Sequence, residues 1–270
     1  MMKRILGVVI VWALCAPVFA QGAQAKSQKE LDALFEVQNT TDPDVRIGAI
    51  HTLLTNFKDT EFKEYANFMM MLAYQQKNDY EMMLLYGETT LELNPDNIDT
   101  LVSLSYAIAA RSGEFDLDKD AKLAKAEDFS KRALLVIPTL ENTREDVTPE
   151  DWLITKKDYM SQAHDSLGLV AIKRKDFPAA EKSLRQSLQV ASTQDPSTFY
   201  HLGNVLKEQG RIDEALEMAD KSIAAGGVMA GTQDLAKVLK AQIIKAKAAA
   251  IMKKSQPAAP APGAEAVNQP

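Results

Sequence analysis

The sequence predicts an all-α fold, a right-handed α-solenoid of stacked helix-turn-helix repeats. The pair Leu167-Gly168 recurs as Leu202-Gly203, at the spacing of a helical-hairpin repeat of about 34 residues. An apolar residue follows nine positions after each glycine, and an alanine comes three positions later. Because one hairpin cannot bury its own apolar face, such units stack on their neighbours and leave an elongated inner surface for binding. The recurring apolar and alanine residues are Phe177 with Ala180 and Ile212 with Ala215.

The first twenty residues have the pattern of a secretory signal peptide. Lys3 and Arg4 form a basic start, an apolar stretch follows over residues 5–15, and Val18-Phe19-Ala20 is a small-residue cleavage site. An uncleaved membrane anchor is the alternative, but the apolar stretch is shorter than the roughly 18 residues that a span needs. We therefore expect cleavage after Ala20 and a periplasmic mature protein without a membrane span.

Charge and cysteine content exclude several classes of partner and site. The chain has 270 residues and a net charge of −6, and loss of residues 1–20, which hold Lys3 and Arg4 but no acidic residue, brings the charge to −8. An acidic protein binds nucleic acid and anionic membranes poorly, so neither is an expected partner. Cys15 is the only cysteine. Because Cys15 leaves with the signal peptide, we expect no disulfide, thiolate metal site or cysteine nucleophile in the mature chain.

Residues 27–63 predict a degenerate amino-terminal helical hairpin. Ser27 and Glu30 form a capping box, so the first helix is expected to begin near Ser27 and to end by Thr40. Asp42-Pro43 opens the second helix, and residues 56–60 supply the turn after it. The second helix carries an apolar stripe at helical spacing. The stripe consists of Ile47, Ile50, Leu54 and Phe57.

Residues 64–229 contain four copies of a longer pattern. One slot, where the two best copies have glycine, holds Met71, Ser105, Gly168 and Gly203. A second slot holds Met83, Ala126, Ala180 and Ala215, and a closing proline is clear at Pro95 and Pro138. This pattern resembles the tetratricopeptide repeat family, in which small residues at those slots let the helices approach closely. The resemblance implies four such repeats, with Met71 and Met83 loosening or respacing the first.

Two segments depart from the repeat. Between Arg111 and Ala126 the second copy is longer than the family unit, and insertions in solenoids fall in loops between helices. Thr148-Pro149 is a strong helix start that lies well ahead of Gly168. The helix that reaches Gly168 is therefore expected to extend backwards past Trp152.

The carboxy-terminal residues predict a capping helix and a tail. Thr232 can cap an amphipathic helix over residues 231–254, whose apolar stripe packs on the last repeat while lysines face solvent. Residues 255–270 are rich in proline and alanine and cannot form a core, so they predict a disordered tail. The stripe of the capping helix consists of Leu235, Val238, Leu239 and Ile243.

No motif for catalysis, a cofactor or a metal occurs in the sequence. Asp116, Asp118 and Asp120 alternate like calcium ligands, but Ala121 stands where a calcium loop requires glycine. We expect these aspartates to cap a helix that begins near Asp120. The three histidines lack the spacing of metal ligands, and no nucleophile elbow or phosphate-binding glycine loop is present. The sequence thus predicts a protein that is not an enzyme and uses neither cofactor nor metal.

The family resemblance implies that the first helix of each hairpin lines an inner groove. That groove is then apolar and aromatic toward the amino terminus and more polar toward the carboxyl terminus, and aromatic side chains commonly anchor partners. Alternatively, Tyr65 and Phe68 only cover the amino-terminal helices. The slots place Met70, Met71 and Met83 in the core, although methionines also form adaptable binding surfaces. The residues expected to line the groove are Tyr65, Phe68, Met69, Leu72, Val102, Tyr106, Leu169, Tyr200, Asn204 and Lys207.

These observations favour a non-enzymatic scaffold for protein–protein interaction in the cell envelope. Its partner would be a peptide, or a helix of an envelope protein, held in the concave groove. The alternative is a structural subunit of an envelope assembly or secretion complex. In that case the edges of the solenoid make permanent contacts, which are larger and more apolar than transient ones.

Overall fold

A computed structural model of the protein describes residues 23–144 and 146–255. The predicted signal peptide at residues 1–20 and residues 256–270 of the predicted tail lie outside the described residues. Within those described residues no helix is both long enough and apolar enough to cross a bilayer. The elements are α1 (Gln28–Asn39), α2 (Pro43–Asn56), α3 (Lys63–Gln76), α4 (Tyr80–Leu93), α5 (Ile98–Arg111), α6 (Lys119–Val136) with a 3-10 turn (Ile137–Thr139), α7 (Pro149–Lys173), α8 (Phe177–Val190), α9 (Pro196–Glu208), α10 (Ile212–Ala224), β1 (Met229–Ala230), β2 (Gln233–Asp234) and α11 (Leu235–Ser255).

Successive helices pack as hairpins, and the hairpins stack in the order of the chain. Helix α1 packs with α2, α3 with α4, α5 with α6, α7 with α8, and α9 with α10. Each hairpin contacts the next through α2 and α3, α4 and α5, α6 and α7, and α8 and α9, while α11 packs on α9 and α10. Contacts that run mainly between neighbouring units define a solenoid. The all-α solenoid predicted from the sequence is confirmed.

The first helices of the hairpins lie on the inner side of the stack. From the third hairpin onward they contact one another directly, α5 with α7, α7 with α9, and α9 with α11. In the described part of the chain no comparable contact joins α4 with α6, α6 with α8, or α8 with α10. The stack is therefore tighter along the first helices, and this side is its concave face.

The apolar core runs along the stack as three adjoining clusters, numbered in the order of the chain. Their buried residues fall within positions 34–70 for the first, 71–170 for the second and 171–243 for the third. Phe68 and Leu72 pack against both the first and the second cluster, and Ile172 of α7 packs against both the second and the third. These shared side chains join the clusters into one continuous core. Met70, Met71 and Met83 are buried in it. The prediction that these methionines fill the core is confirmed.

Small residues stand where helices come closest. A Cβ added at Gly168 would lie 2.6 Å from Cδ2 of Leu184, and one added at Gly203 would lie 3.1 Å from Cδ2 of Leu239. Ser105, in the equivalent slot of α5, is buried, and its Oγ lies 3.1 Å from Oγ of Ser166 on α7. Close helix packing therefore explains the small residues in three of the four glycine slots.

Three helices begin where the sequence predicts. The hydroxyl of Ser27 accepts a hydrogen bond from the amide of Glu30 at 3.2 Å, and Oδ1 of Asp42 accepts one from the amide of Asp44 at 3.0 Å. The hydroxyl of Thr148 accepts one from the amide of Asp151 at 3.1 Å. Helix α7 then continues for 25 residues, past Trp152, as predicted. These side chains satisfy amides that have no partner inside the helix.

The aspartates of the predicted insertion do not cap α6, so that expectation is wrong. Helix α6 begins at Lys119, and Asp118 before it makes no side-chain capping bond. Instead, Oδ2 of Asp116 lies 3.1 Å and Oδ1 of Asp118 lies 3.0 Å from Nζ of Lys122. Asp116 Oδ2 also accepts a hydrogen bond from the amide of Gly113 at 3.0 Å. The lysine attracts both carboxylates and holds the loop against the start of the helix.

The last helix begins at Leu235, after the predicted start at residue 231. A two-stranded hairpin pairs Met229 with Asp234, and Thr232 lies in its turn. Oδ1 of Asp234 accepts hydrogen bonds from the amides of Ala236 at 3.0 Å and Val228 at 3.3 Å. Asp234 therefore caps α11 in place of Thr232, because the hairpin delays the helix by several residues. Of the predicted stripe, Leu239 and Ile243 are fully buried against the last hairpin.

Candidate functional site

Three of the residues expected in the groove are buried in the core. Met69, Val102 and Leu169 lie on α3, α5 and α7, and each belongs to a core cluster. Met69 packs with residues of the first hairpin, whereas Val102 and Leu169 belong to the cluster in which α5 and α7 contact each other. These three side chains lie beneath the concave face and have almost no accessible surface for a partner to contact.

The aromatic residues at the amino-terminal end are half-buried. Tyr65 packs against the first core cluster, and Phe68 and Leu72 pack between the first and second clusters. Part of each side chain remains accessible. These three residues therefore combine packing between units with a limited apolar surface.

Helix α9 supplies a polar stripe at the carboxy-terminal end. Tyr200, Asn204 and Lys207 recur at helical spacing and are all half-buried. Nδ2 of Asn204 donates a hydrogen bond to the carbonyl of Tyr200 at 3.1 Å, and the Tyr200 ring meets His201 edge-on at 5.3 Å. Nζ of Lys207 lies 3.3 Å from Oε1 of Glu208. This end of the face offers both hydrogen-bond donors and acceptors.

Tyr106 is the most exposed of the predicted groove residues. Its side chain on α5 is 42% exposed, and it borders a cleft of about 300 Å³ between α3, α4, α5 and α7. At one end of the cleft the guanidinium of Arg111 lies 4.8 Å from the centre of the Tyr80 ring and also donates to Oδ1 of Asn78. At the other end stands Gln162, which is exposed. The cleft can accommodate a short stretch of peptide backbone with one or two side chains.

A buried carboxyl group on α7 acts electrostatically on Tyr106. Asp165 on α7 is only 8% exposed, and it accepts a hydrogen bond from the hydroxyl of Thr198 on α9. Within the described residues its Oδ1 has no hydrogen-bond partner. Burial, opposed by the Thr198 hydrogen bond and reinforced by the charge of Asp195, raises the pKa of Asp165 to about 7. This group therefore changes charge near neutral pH.

Burial also shifts the pKa values of Tyr106 and His201. Burial raises the pKa of the Tyr106 hydroxyl, and the charges of Asp165 and Asp195 raise it further. Burial lowers the pKa of His201 to about 4, so its imidazole is neutral at pH 7. Asp195 is exposed and caps α9 by accepting a hydrogen bond from the amide of Ser197 at 2.6 Å. The polar end of the concave face is thus acidic.

The sequence predicts a polar carboxy-terminal end of the groove, and the repeat offset places Asp165 on the same face of α7 as Leu169, one turn earlier. Neither Asp165 nor Asp195 is singled out as a functional residue. Asp195 followed by a proline indicated a helix cap. Neither pattern reveals that both charges act on the Tyr106 hydroxyl, because Tyr106 lies on α5, Asp165 on α7 and Asp195 at the start of α9.

The histidines form no metal site in the part of the chain that the structure describes. His51 is exposed on α2, whereas His164 and His201 are half-buried on α7 and α9. Among the described residues no group of three potential ligands lies close enough to hold a metal ion. The carboxylates of Asp116 and Asp118, which alternate like calcium ligands, are paired with Lys122.

The sequence of the hairpin formed by α9 and α10 matches the model of a known family. Residues 196–225 match the tetratricopeptide repeat model. No curated protein matches the sequence of the chain. The family match therefore covers one repeat, and the tetratricopeptide-like nature of the other hairpins comes from their packing.

Solved structures share the helical-repeat fold over most of the chain. PilW, described as a widely conserved type IV pilus biogenesis factor, is 16% identical with a TM-score of 0.58, and the match covers 83% of this chain and 89% of PilW. TTC0263, a tetratricopeptide protein of Thermus thermophilus, is 20% identical with a TM-score of 0.50, covering 81% and 98%. PilF of Pseudomonas aeruginosa is 16% identical with a TM-score of 0.50, covering 85% and 91%. At these identities the likeness concerns the fold.

Proposed function

We propose that the protein is a non-enzymatic scaffold of the cell envelope that holds a segment of another protein on its concave face. The observation that carries this proposal is the cleft beside Tyr106, on the side where the first helices converge. Solenoids present extended concave surfaces of this kind to their partners. The partner segment is an extended peptide or a helix.

The chemistry of the concave face supports binding of a peptide. The half-exposed ring of Tyr106 offers an aromatic contact, and Gln162 and Tyr200 offer hydrogen-bonding groups to a peptide backbone. Tyrosine side chains are common energetic centres of interfaces because they give a large contact area with few rotatable bonds. The face is already folded, which reduces the entropy that binding costs.

The envelope location rests on the amino-terminal pattern around Lys3, Arg4 and Ala20. A tagged full-length protein is expected in the periplasmic fraction, and mass spectrometry of that protein should give Gln21 as its first residue. A variant lacking residues 2–20 should stay in the cytoplasm. An exported protein that retains residues 1–20 would contradict signal cleavage, and a full-length protein found in the cytoplasm would contradict export.

A photocrosslinker placed in the groove tests partner binding in intact cells. A photoreactive phenylalanine analogue at position 106 should crosslink to a defined partner, because Tyr106 lies beside the cleft. The matched control carries the same analogue at position 135, since Leu135 is exposed on the second helix of the same hairpin. Crosslinking at position 135 but not at position 106 would contradict groove binding.

An exposed loop favours a second function, that of a structural subunit which binds through the edge of the solenoid. Phe115 is 95% exposed and Leu117 is fully exposed in the loop between α5 and α6. Ion pairs of Glu114 with Lys119 at 3.1 Å and with Lys175 at 2.7 Å hold this loop against the next unit. Two fixed apolar side chains in solvent are typical of an interface.

Sedimentation distinguishes this second function from the first. In the subunit hypothesis the purified protein self-associates with rising concentration, and Phe115→Ser with Leu117→Ser abolishes that association. In the scaffold hypothesis the protein stays monomeric. The exposed position of both side chains means that the substitutions should leave the fold intact.

A further inference from the structure

One arginine of the cleft beside Tyr106 has no acidic partner among the described residues. Arg111, the last residue of α5, is exposed and lines the cleft. Within the described part of the chain no carboxylate oxygen lies within 4.0 Å of its guanidinium, whereas most of the other arginines form such ion pairs. The paired arginines are Arg132, Arg144, Arg174, Arg185 and Arg211.

Two neighbours hold the guanidinium of Arg111 in place. Its Cζ lies 4.8 Å from the centre of the Tyr80 ring, and its Nη2 donates a hydrogen bond to Oδ1 of Asn78. Tyr80 is half-buried at the start of α4, and Asn78 lies in the turn before it. A guanidinium that is fixed before binding loses little conformational entropy when a ligand arrives.

Most of the donors of Arg111 are still available. A guanidinium has five N–H groups in one plane, and among the described residues the side chain of Arg111 makes no hydrogen bond besides the one to Asn78. Stacking on the face of Tyr80 leaves the edge of that plane open. Because the oxygen of the Asn78 amide accepts from Arg111, its Nδ2 adds further N–H donors at the same place.

The cleft has a single acidic side chain among the described residues that line it. This residue, Asp79, lies more than 4.0 Å from the Arg111 guanidinium, and its Oδ1 caps α4 by accepting a hydrogen bond from the amide of Met82 at 3.2 Å. The cation and the anion of the cleft are therefore not paired with each other. A carboxylate from outside can pair with Arg111, but the charge of Asp79 opposes a second one.

We propose that Arg111 and Asn78 form a subsite for the carboxylate of one aspartate or glutamate side chain of the bound protein segment. This inference rests on the proposed function and specifies the chemistry of the partner. A guanidinium binds a carboxylate through two parallel hydrogen bonds, which gives geometric specificity. The chain has a net charge of −6, which repels a run of acidic residues, so the expected segment has a single acidic residue at this position.

Selection from a random peptide library tests this proposal. Twelve-residue peptides fused to a phage coat protein through their carboxyl ends are selected on the purified full-length protein and, in parallel, on its Arg111→Gln variant. We expect the wild-type protein to enrich aspartate or glutamate at one fixed position, and the variant to lose that preference. Enrichment without an acidic position, or with one that the variant retains, overturns the subsite but leaves groove binding intact. If no peptide is enriched, both proposals fail.

Binding of one selected peptide, synthesised with an amidated carboxyl end, then measures the effect by fluorescence anisotropy. Arg111→Gln should weaken binding by about tenfold or more, and so should replacement of the acidic peptide residue by its amide. Combining the two changes should add little further loss, because both remove the same contact. Losses that add in full would overturn the subsite. Arg111→Lys keeps the charge without the two parallel bonds and should give an intermediate affinity.

A change at Asp79 should act in the opposite direction. Asp79→Asn keeps an acceptor for the amide of Met82 and removes the negative charge that lines the cleft. The variant should bind the acidic peptide about twofold more tightly or better. Unchanged or weaker binding by this variant would overturn the placement of the carboxylate beside Arg111.

The matched control is Arg174→Gln. Arg174 follows the last residue of α7 and is exposed as Arg111 is, but it pairs with Glu127 and does not line the cleft. The control changes the net charge by the same amount and should bind the peptide as the wild-type protein does. If it weakens binding as much as Arg111→Gln, the effect comes from net charge, and the subsite is overturned. Circular dichroism of each variant checks that the helices remain.

Discussion

Leu184 of α8 packs directly over Gly168 of α7. A Cβ at position 168 would lie 2.6 Å from Cδ2 and 2.7 Å from Cγ of Leu184, well inside a normal carbon–carbon contact. Leu184 is itself fully buried in the third core cluster and has little room to move. The glycine therefore sets the distance between the two helices of this hairpin.

Replacing Gly168 by alanine is expected to lower the free energy of unfolding by about 1–3 kcal/mol, because the added methyl group overpacks the core. The control is Gly48→Ala in α2, where nothing lies within 4 Å of an added Cβ. That variant should be more stable than the wild type by about 0.5–1 kcal/mol, since alanine favours the helix. Urea unfolding followed by circular dichroism measures both. Equal stability of the two variants would contradict the close approach of Leu184.

The turn between α7 and α8 contains a residue with left-handed backbone. Lys175 has a φ of 62°, and its side chain pairs with Glu114 at 2.7 Å. Lys175→Gly and Lys175→Ala both lose the ion pair, but only glycine adopts this conformation without steric cost. The glycine variant should therefore be about 1 kcal/mol more stable than the alanine variant. A smaller stability in urea for the glycine variant would contradict the assigned backbone.

Asp234 is expected to stabilise the start of α11. Asp234→Ala removes the acceptor for the amides of Val228 and Ala236 and should cost about 1 kcal/mol. Thr232→Ala serves as the control because Thr232 is exposed in the hairpin turn. It should change stability by less than about 0.5 kcal/mol. Thermal unfolding of the two variants decides which residue caps the helix, and a larger loss for Thr232→Ala would reverse the assignment.

Asp165 makes stability depend on pH. Its pKa is raised from 3.8 to about 7 in the folded protein, so between these values the folded state holds a proton that the unfolded state has lost. The stabilising contribution of the protonated form is complete below pH 3.8 and is lost as the pH rises to about 7. At about 1.4 kcal/mol for each pH unit, the loss is at most about 4 kcal/mol.

Comparison with Asp165→Asn isolates this dependence. The variant has no titrating group at position 165, so its stability relative to the wild type should increase between pH 4 and pH 7 and stay constant above. His201 acts in the opposite direction, because its lowered pKa of about 4 removes stability as the pH falls below 6.5. Both proteins retain His201, and its effect cancels in the difference. A difference independent of pH, measured by urea unfolding, would show that Asp165 has an ordinary pKa.

The helix starts could be predicted because they depend on local chemistry. Ser27, Asp42 and Thr148 each accept a hydrogen bond from an amide two or three residues later, and such patterns are visible in the sequence. The start of α11 could not be predicted in this way. It depends on a hairpin that pairs Met229 with Asp234 and thereby makes Asp234, and not Thr232, the residue beside the first free amides.

The candidate site was only partly predictable for a similar reason. Repeat spacing predicts that Tyr106 and the polar stripe on α9 face inward, and these side chains keep accessible surface in the structure. It also assigned Met69, Val102 and Leu169 to the groove, although packing against neighbouring helices buries them. The environment of Asp165 depends on Thr198 and Asp195, which lie thirty or more residues away in sequence and reach it only through folding.

Helix α7 is long enough to touch both halves of the stack, since it contacts α5 and α6 on one side and α8 and α9 on the other, and its Ile172 packs in two clusters. In a linear array of units, such an element couples the folding of the two ends. During chemical unfolding the helices at the two termini should therefore open first, and the units in the middle should unfold together. The concave face beside α7 should then be among the last regions to lose its structure.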